Sequence, residues 1–94
     1  MLFVTLLSPK ATATPAQTIP RRVQWKYPEG LKVIAEYWLQ TDKPHVIIVA
    51  EANEVAPMMM ATEAWGDLFD ITVVPAVTAE EGLKLAAQMM PPGA

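Results

Sequence analysis

The sequence predicts an α+β fold, in which four strands form one antiparallel sheet and the helices cover a single face of it. The first observation is a hairpin at residues 31–51, where two apolar, β-rich runs flank a turn at Thr41–Pro44. The second is the order of the segments, β-α-β-β-α-β followed by one more helix, which is the split β-α-β or ferredoxin-like pattern. We therefore expect residues 1–94 to form one domain.

The first part of the chain predicts a strand and a helix. Residues 2–7 are apolar at nearly every position, as in a strand that is buried on both faces. A helix can begin at Thr14-Pro15, which supplies a capping residue and a proline at the first helical position. Pro20 conflicts with a regular helix, so the helix is either kinked there or begins later with Thr18 as its cap. We expect residues 28–30 to end it.

The second part predicts a helix, a strand and a final helix. Asn53 is the expected cap of the second helix, and Gly66 its expected end. Residues 69–77 form the fourth strand, and Pro75 places it at a sheet edge because proline cannot donate to a ladder. A capping box at residues 78–81 opens a last helix that runs to about residue 88. Right-handed crossovers place the first and third strands in the centre.

The hairpin register predicts which side chains share a face. We pair Gln40 with His45, and side chains then alternate between the two faces of the sheet. The face expected against the helices holds Val33, Ala35, Tyr37, Leu39, Val46, Ile48 and Ala50. The open face mixes apolar and ionisable groups, namely Lys32, Ile34, Glu36, Trp38, Gln40, His45, Ile47, Val49 and Glu51. Apolar patches of this kind usually mark an interface or a ligand groove, so we expect a homodimer that forms through the open face.

Three segments carry a resemblance that extends over the whole chain, namely Trp25–Gly30, Ala35–Trp38 and, above all, Trp65–Val73. Through them the chain resembles a family of small prokaryotic proteins of unknown function in the dimeric α/β-barrel superfamily. The resemblance implies a ferredoxin-like fold in which two subunits pack sheet to sheet into a barrel. It implies no particular activity, although related families include cofactor-free monooxygenases, haem-degrading enzymes and small-ligand sensors.

Composition argues against several classes of protein. The net charge of -3 and the single basic pair Arg21-Arg22 give no reason to expect nucleic acid as a partner. The absence of cysteine excludes disulfides, a thiol nucleophile and Cys-ligated metal sites. No apolar run approaches the ~18 residues of a membrane span. The apolar N-terminus lacks a basic leader and is interrupted by Thr5, so we interpret it as a strand and expect a cytoplasmic protein.

The candidate ligand-binding residues lie on or near the open face. They are Glu36, Trp38 and His45, with Trp65, Asp70 and Thr72 as possible neighbours. A partner covering Glu36 would raise the pKa of its carboxyl group by desolvation and make it a candidate general acid or base. The competing interpretation is an ion pair between subunits, in which Glu36 pairs with Lys32 or an arginine. For Trp38 and Trp65, plain core or interface packing competes with stacking on a flat ligand.

His45 is the only histidine, and we expect neither a metal site nor a cofactor. One imidazole would suffice as an axial haem ligand, but a histidine at a strand end is more ordinary. The function that we expect is therefore binding of a small apolar or aromatic molecule. Two alternatives stay open: a cofactor-independent enzyme of the monooxygenase or isomerase type, and a purely structural homo-oligomer.

Overall fold

The fold of the chain was obtained as a computed structural model, and it describes residues 1–90. Four strands and three helices follow one another in the predicted order. They are β1 (Leu2–Pro9), α1 (Pro15–Gln24), β2 (Leu31–Trp38), β3 (Val46–Ala52), α2 (Ala56–Trp65), β4 (Phe69–Ala76) and α3 (Ala79–Met89). The predicted α+β class is confirmed, with a ferredoxin-like arrangement and an extra C-terminal helix.

The sheet is antiparallel throughout, and its strand order is β2-β3-β1-β4. The two near-continuous apolar strands, β1 and β3, therefore occupy the centre as predicted. The strand that contains Pro75 lies at the edge, where a missing backbone donor costs no ladder hydrogen bond. Helices α1 and α2 lie over the same face of the sheet, and the opposite face is left open.

Local capping signals predicted two of the three helix starts. Helix α1 begins at Pro15, where the Thr14 N–H donates to the Gln17 side chain over 2.9 Å, and Pro20 lies inside the helix. The later start at Thr18 is therefore wrong. Thr78 caps α3 by accepting a hydrogen bond from the Glu81 N–H, as the capping box predicted.

Two predicted helix boundaries are wrong, and for the start of α2 the reason is backbone pairing of the preceding strand. Strand β3 continues to Ala52, whose carbonyl and amide both bond to the Met1 backbone, so α2 begins only at Ala56, after Val55 rather than at Asn53. Helix α1 ends at Gln24 and not at residues 28–30. Gly66 caps the end of α2 as predicted.

The predicted register of the hairpin is wrong by one residue. The Leu39 N–H donates to the His45 carbonyl, and Trp38 pairs with Val46 rather than with Ile47. Nearer the start of β2, the ladder shifts again at a bulge between Val33 and Ala35. A shift of one residue reverses the face of every side chain beyond it. Glu36 and Trp38 consequently lie on the face that the helices cover, and Ala35 and Tyr37 lie on the open face.

The core of the molecule is small and aromatic. Leu7, Trp65 and Phe69 form its buried centre, and partly buried residues such as Trp25 and Ile48 surround them. Among the described residues, no large side chain is completely inaccessible. The space between the sheet and the two covering helices is therefore incompletely filled, and this space is the candidate site.

Candidate functional site

A cavity of about 90 Å³ lies between the covered face of the sheet, α1 and α2. The sheet supplies a mainly apolar floor, α1 and the segment after it supply one wall, and α2 supplies the other. The side chains that line these three surfaces include Thr5, Leu7, Ile19, Arg22, Trp25, Tyr27, Glu36, Trp38, His45, Ile48, Met58, Ala61, Trp65 and Phe69. One water molecule needs ~10–15 Å³ of such volume, so the cavity has room for a small organic molecule.

Aromatic rings form the apolar end of the cavity. The indole of Trp65 meets Trp25 and Phe69 edge to face, with both pairs of ring centroids 5.9 Å apart. The Arg21 guanidinium lies 5.0 Å from the Trp65 ring, donates to the Ala64 carbonyl, and pairs with Asp67. These contacts tie α1 to the end of α2 and fix the position of Trp65.

A carboxylate with four donors forms the polar end. Arg22 donates two hydrogen bonds to Glu36, from Nη2 to Oε1 over 2.8 Å and from Nε to Oε2 over 3.0 Å. The Tyr27 hydroxyl donates to Oε1, and the Trp38 indole N–H donates to Oε2 over 2.7 Å. The donors come from α1, from the segment that follows it, and from β2 itself. An ionised carboxylate offers about four acceptor sites, so this one is saturated.

The expectation that Glu36 has a raised pKa is wrong. Burial alone would raise it, but the hydrogen bonds from Arg22, Tyr27 and Trp38 outweigh burial and lower the pKa of Glu36 to about 2. Burial and the hydrogen bond to Glu36 raise the pKa of the Tyr27 hydroxyl. The hydrogen bond to Glu36 raises the pKa of Arg22. At neutral pH the cluster therefore holds one carboxylate, one guanidinium and a neutral phenol.

This arrangement gives Glu36 an organising role rather than an acid–base role. A general base near neutral pH needs a matched pKa and a free lone pair, and Glu36 has neither. The competing interpretation from the sequence was an ion pair between subunits; Glu36 does pair with an arginine, but Arg22 belongs to the same chain. The pair keeps the polar end of the cavity, which we call its mouth, electrically neutral.

His45 contributes a different polar group to the lining of the same cavity. Its Nδ1 lies 3.0 Å from the Thr41 carbonyl oxygen. A carbonyl oxygen can only accept, so Nδ1 carries the proton in this contact, and when the ring is neutral Nε2 is left as an acceptor. The turn that joins β2 to β3 thus fixes both the position and the tautomer of the ring.

The structure brings together four of the six predicted site residues and separates two. Glu36, Trp38, His45 and Trp65 all line the cavity, on the covered face rather than on the open face. Asp70 and Thr72 alternate with the cavity-lining Phe69 and Ile71 along β4, so they lie exposed on the opposite face.

Sequence reasoning missed Arg22 and Tyr27 as parts of the site. A signal for Arg22 was present, because Arg22 lies three residues after Ile19 and so shares the inward side of the helix. A charged residue on an inward side requires a buried partner. Tyr27 lies in the segment Trp25–Gly30 that carries the family resemblance, but nothing in the sequence gave it a role in the site, and it follows the helix in an irregular segment.

Within residues 1–90, no group of three or more His, Asp or Glu side chains is arranged to hold a metal ion. The same residues contain no helix with the length and apolar character needed to cross a membrane.

One comparison with known proteins gives a match. The family described as "Domain of unknown function (DUF3303)" matches residues 1–90, which is nearly the whole chain, so the chain belongs to that family. No curated protein and no solved structure matches it.

Proposed function

We propose that this member of the DUF3303 family binds a small, neutral aromatic molecule in the cavity between the sheet and the two covering helices. The observation that carries the proposal is the cavity of about 90 Å³ itself, with an aromatic interior and a mouth of positioned polar groups. Ligand sites commonly combine a mostly apolar lining with a few polar groups that fix orientation. A water molecule needs two to four polar partners, so the apolar interior favours an organic guest over water.

The charges at the mouth favour a neutral ligand. Glu36 compensates Arg22 through two hydrogen bonds, and the carboxylate has no free acceptor site. An anion would have to compete with Glu36 for Arg22, and a cation would find no free carboxylate oxygen. Either ion would also lose its hydration on entering an apolar space.

The hydrogen-bonding groups that the protein leaves unused at this end favour a ligand with a hydroxyl or ring N–H group. Nε2 of His45 can accept one hydrogen bond, and Glu36 uses only two of the five N–H groups of Arg22. Phenol and indole offer a donor of this kind on a flat apolar body, so they are the first probes of the site.

Phenol and indole are expected to raise the melting temperature, whereas benzoate is not. A ligand present at ten times its dissociation constant stabilises the folded state by about 1.4 kcal/mol. For a domain of this size that corresponds to a rise of roughly 6–10 °C. The measurement is a thermal-shift titration, checked by chemical-shift changes of the indole N–H groups of Trp38 and Trp65.

The matched variants for this test lie on one helix. Ala61 lines the cavity, whereas Ala56 is exposed at the start of α2. Ala61→Leu should fill the space and remove the shift, and Ala56→Leu should leave the shift as in the wild type. Absence of any shift with phenol and indole at millimolar concentration would contradict the proposal, and so would equal binding by the Ala61→Leu protein.

For the open face of the sheet, we propose a homodimer of the kind that the dimeric α/β-barrel resemblance implies. Tyr37 is 57% exposed there, and Ile34 and Val74 are also exposed. These side chains lie on the two edge strands, β2 and β4, of a sheet face that no helix within residues 1–90 covers. Exposed apolar side chains spread across a face in this way are typical of surfaces that another molecule covers. Two copies of the same face can meet about a two-fold axis.

Tyr37→Glu is the expected monomer-forming change. The side chain is mostly exposed, so the substitution should leave the subunit folded while placing a charge in the dimer contact. Gln40→Glu is the control, because Gln40 is exposed in the hairpin connection. Light scattering at micromolar concentration should find a dimer for the wild type and the control and a monomer for Tyr37→Glu. A monomeric wild type would contradict the dimer without affecting the ligand proposal.

A further inference from the structure

Helix α3 has one polar side and one apolar side. At 100° per residue, Glu80, Glu81, Lys84 and Gln88 form a single stripe. The rest of the surface is apolar, and it is exposed: Leu83 is 72% and Met89 is 84% accessible, and no residue of the helix is buried. Within the described part of the chain, nothing covers the apolar side.

A helix of this length does not stabilise itself. Isolated helices below ~12–15 residues are marginal in water, and most helical stability in proteins comes from packing of an apolar side. Helix α3 has 11 residues. The exposed pairs that Lys84 makes with Glu80 and Glu81 contribute roughly a few tenths of a kcal/mol each, and the cap at Thr78 contributes about 1 kcal/mol. The helix therefore needs a surface to pack against.

The exposed area and the overall dimensions indicate how much surface the chain leaves uncovered. The chain exposes 6833 Å², whereas a folded monomer of 10.3 kDa exposes about 5,400 Å². Its radius of gyration is 16.2 Å against about 12 Å for a compact chain of this length, and it measures 58 × 29 × 17 Å. The excess area, roughly 1,400 Å², exceeds the ~800 Å² that each partner buries in a standard stable interface.

We propose that α3 is a dimerisation arm, whose apolar side packs on a second copy of this chain while the second copy's α3 does the same in return. A second copy is the occupant that fits, because the excess exposed area of one chain is large enough for the contact that each partner buries in a stable dimer. Only Val77 and Thr78 separate the helix from β4, so the arm begins close to the end of this edge strand. The proposal rests on the homodimer proposed above and extends its interface beyond the sheet.

The test compares two adjacent residues in the full-length chain. Met89→Glu places a charge on the apolar side, and Gln88→Glu places the same charge on the polar stripe. Both side chains are exposed, so neither change should unfold the subunit, and circular dichroism checks this. A two-fold dimer loses each contact twice, so Met89→Glu should raise the dimer dissociation constant at least about 100-fold. Gln88→Glu should change it less than threefold.

The outcomes separate this proposal from the sheet-face dimer. A dimeric wild type with an unchanged dissociation constant for Met89→Glu would overturn the arm and leave the sheet contact standing. A wild type that sediments as a monomer would overturn both. As a second measurement, isotope-filtered NOEs in a mixed labelled and unlabelled sample should connect the Leu83 and Met89 methyl groups to the other copy. Exclusively intramolecular NOEs from these methyl groups would overturn the arm.

Discussion

Trp65→Ala is expected to lower the free energy of unfolding by about 4 kcal/mol, within the ~3–5 kcal/mol range for removing a large aromatic side chain from a core. Trp65 is 8% exposed and makes edge-to-face contacts with Trp25 and Phe69. The Arg21 guanidinium above its ring would also lose that contact. Domains of this kind have only ~5–15 kcal/mol of stability in total, so the melting temperature should fall by roughly 15–30 °C. Thermal and urea unfolding measure the change.

Trp38→Ala is the control for residue type. Trp38 is 54% exposed, and Glu36 keeps three other hydrogen bonds when the indole is removed. The control should therefore lose less than half as much stability as Trp65→Ala. Equal losses would contradict the small aromatic core as the main source of stability.

Glu36→Gln is expected to destabilise the protein by about 2 kcal/mol at neutral pH. The amide N–H₂ group would face N–H donors of Arg22 and Trp38 and could not accept their hydrogen bonds. The guanidinium would also lose its counter-charge. Removing one partner of a buried ion pair costs ~3–5 kcal/mol. Here the loss is smaller because 35% of the Arg22 side chain is accessible to water, although Glu36 itself is only 15% accessible.

The same substitution tests the lowered pKa through its effect on pH dependence. The folded pKa of Glu36, about 2, lies below the ordinary value of 4.5, so the carboxylate stabilises the fold above pH 4.5. That contribution is lost as the pH falls from 4.5 to about 2. The difference in stability between the wild type and Glu36→Gln should therefore shrink over this interval and nearly vanish near pH 2.

Glu63→Gln is the matched control for this experiment, because Glu63 is exposed on α2 and has no ion pair or hydrogen bond within the described residues. It should follow the wild type at every pH. A Glu36→Gln protein whose stability runs parallel to the wild type from pH 7 to pH 2 would show that the carboxylate is not held by its four donors.

The order of the elements could be predicted from the sequence because its signals are local. Pro75 excludes a central strand by its own chemistry, and Thr78 caps α3 through a hydrogen bond that reaches only three residues along the chain, to the Glu81 N–H. Such features act over a few residues and need no knowledge of the tertiary structure. For the same reason, Asn53 misled the prediction: its capping preference was overridden by β3, which continues to Ala52 through backbone pairing with a distant part of the chain.

The candidate site was only partly predictable because it depends on register and on contacts between distant segments. The residue types at positions 36, 38 and 45 were recognised, but their face depends on the length of the hairpin connection and on the bulge at Ile34. The lowered pKa of Glu36 depends on Arg22, 14 residues away in the sequence. A strand pattern alone contains neither piece of information.

The bulge also determines how this strand should be aligned with other sequences. Val33 and Glu36 are three residues apart, yet both lie on the covered face, so strict alternation holds only within two blocks, residues 31–33 and 35–38. A relative with one residue fewer would present the same carboxylate from a regular strand if its gap falls at position 34. The same deletion between Glu36 and the turn would move the carboxylate to the other side of the sheet unless the connection compensated. Insertions and deletions in β2 therefore carry as much functional information as the identity of its residues.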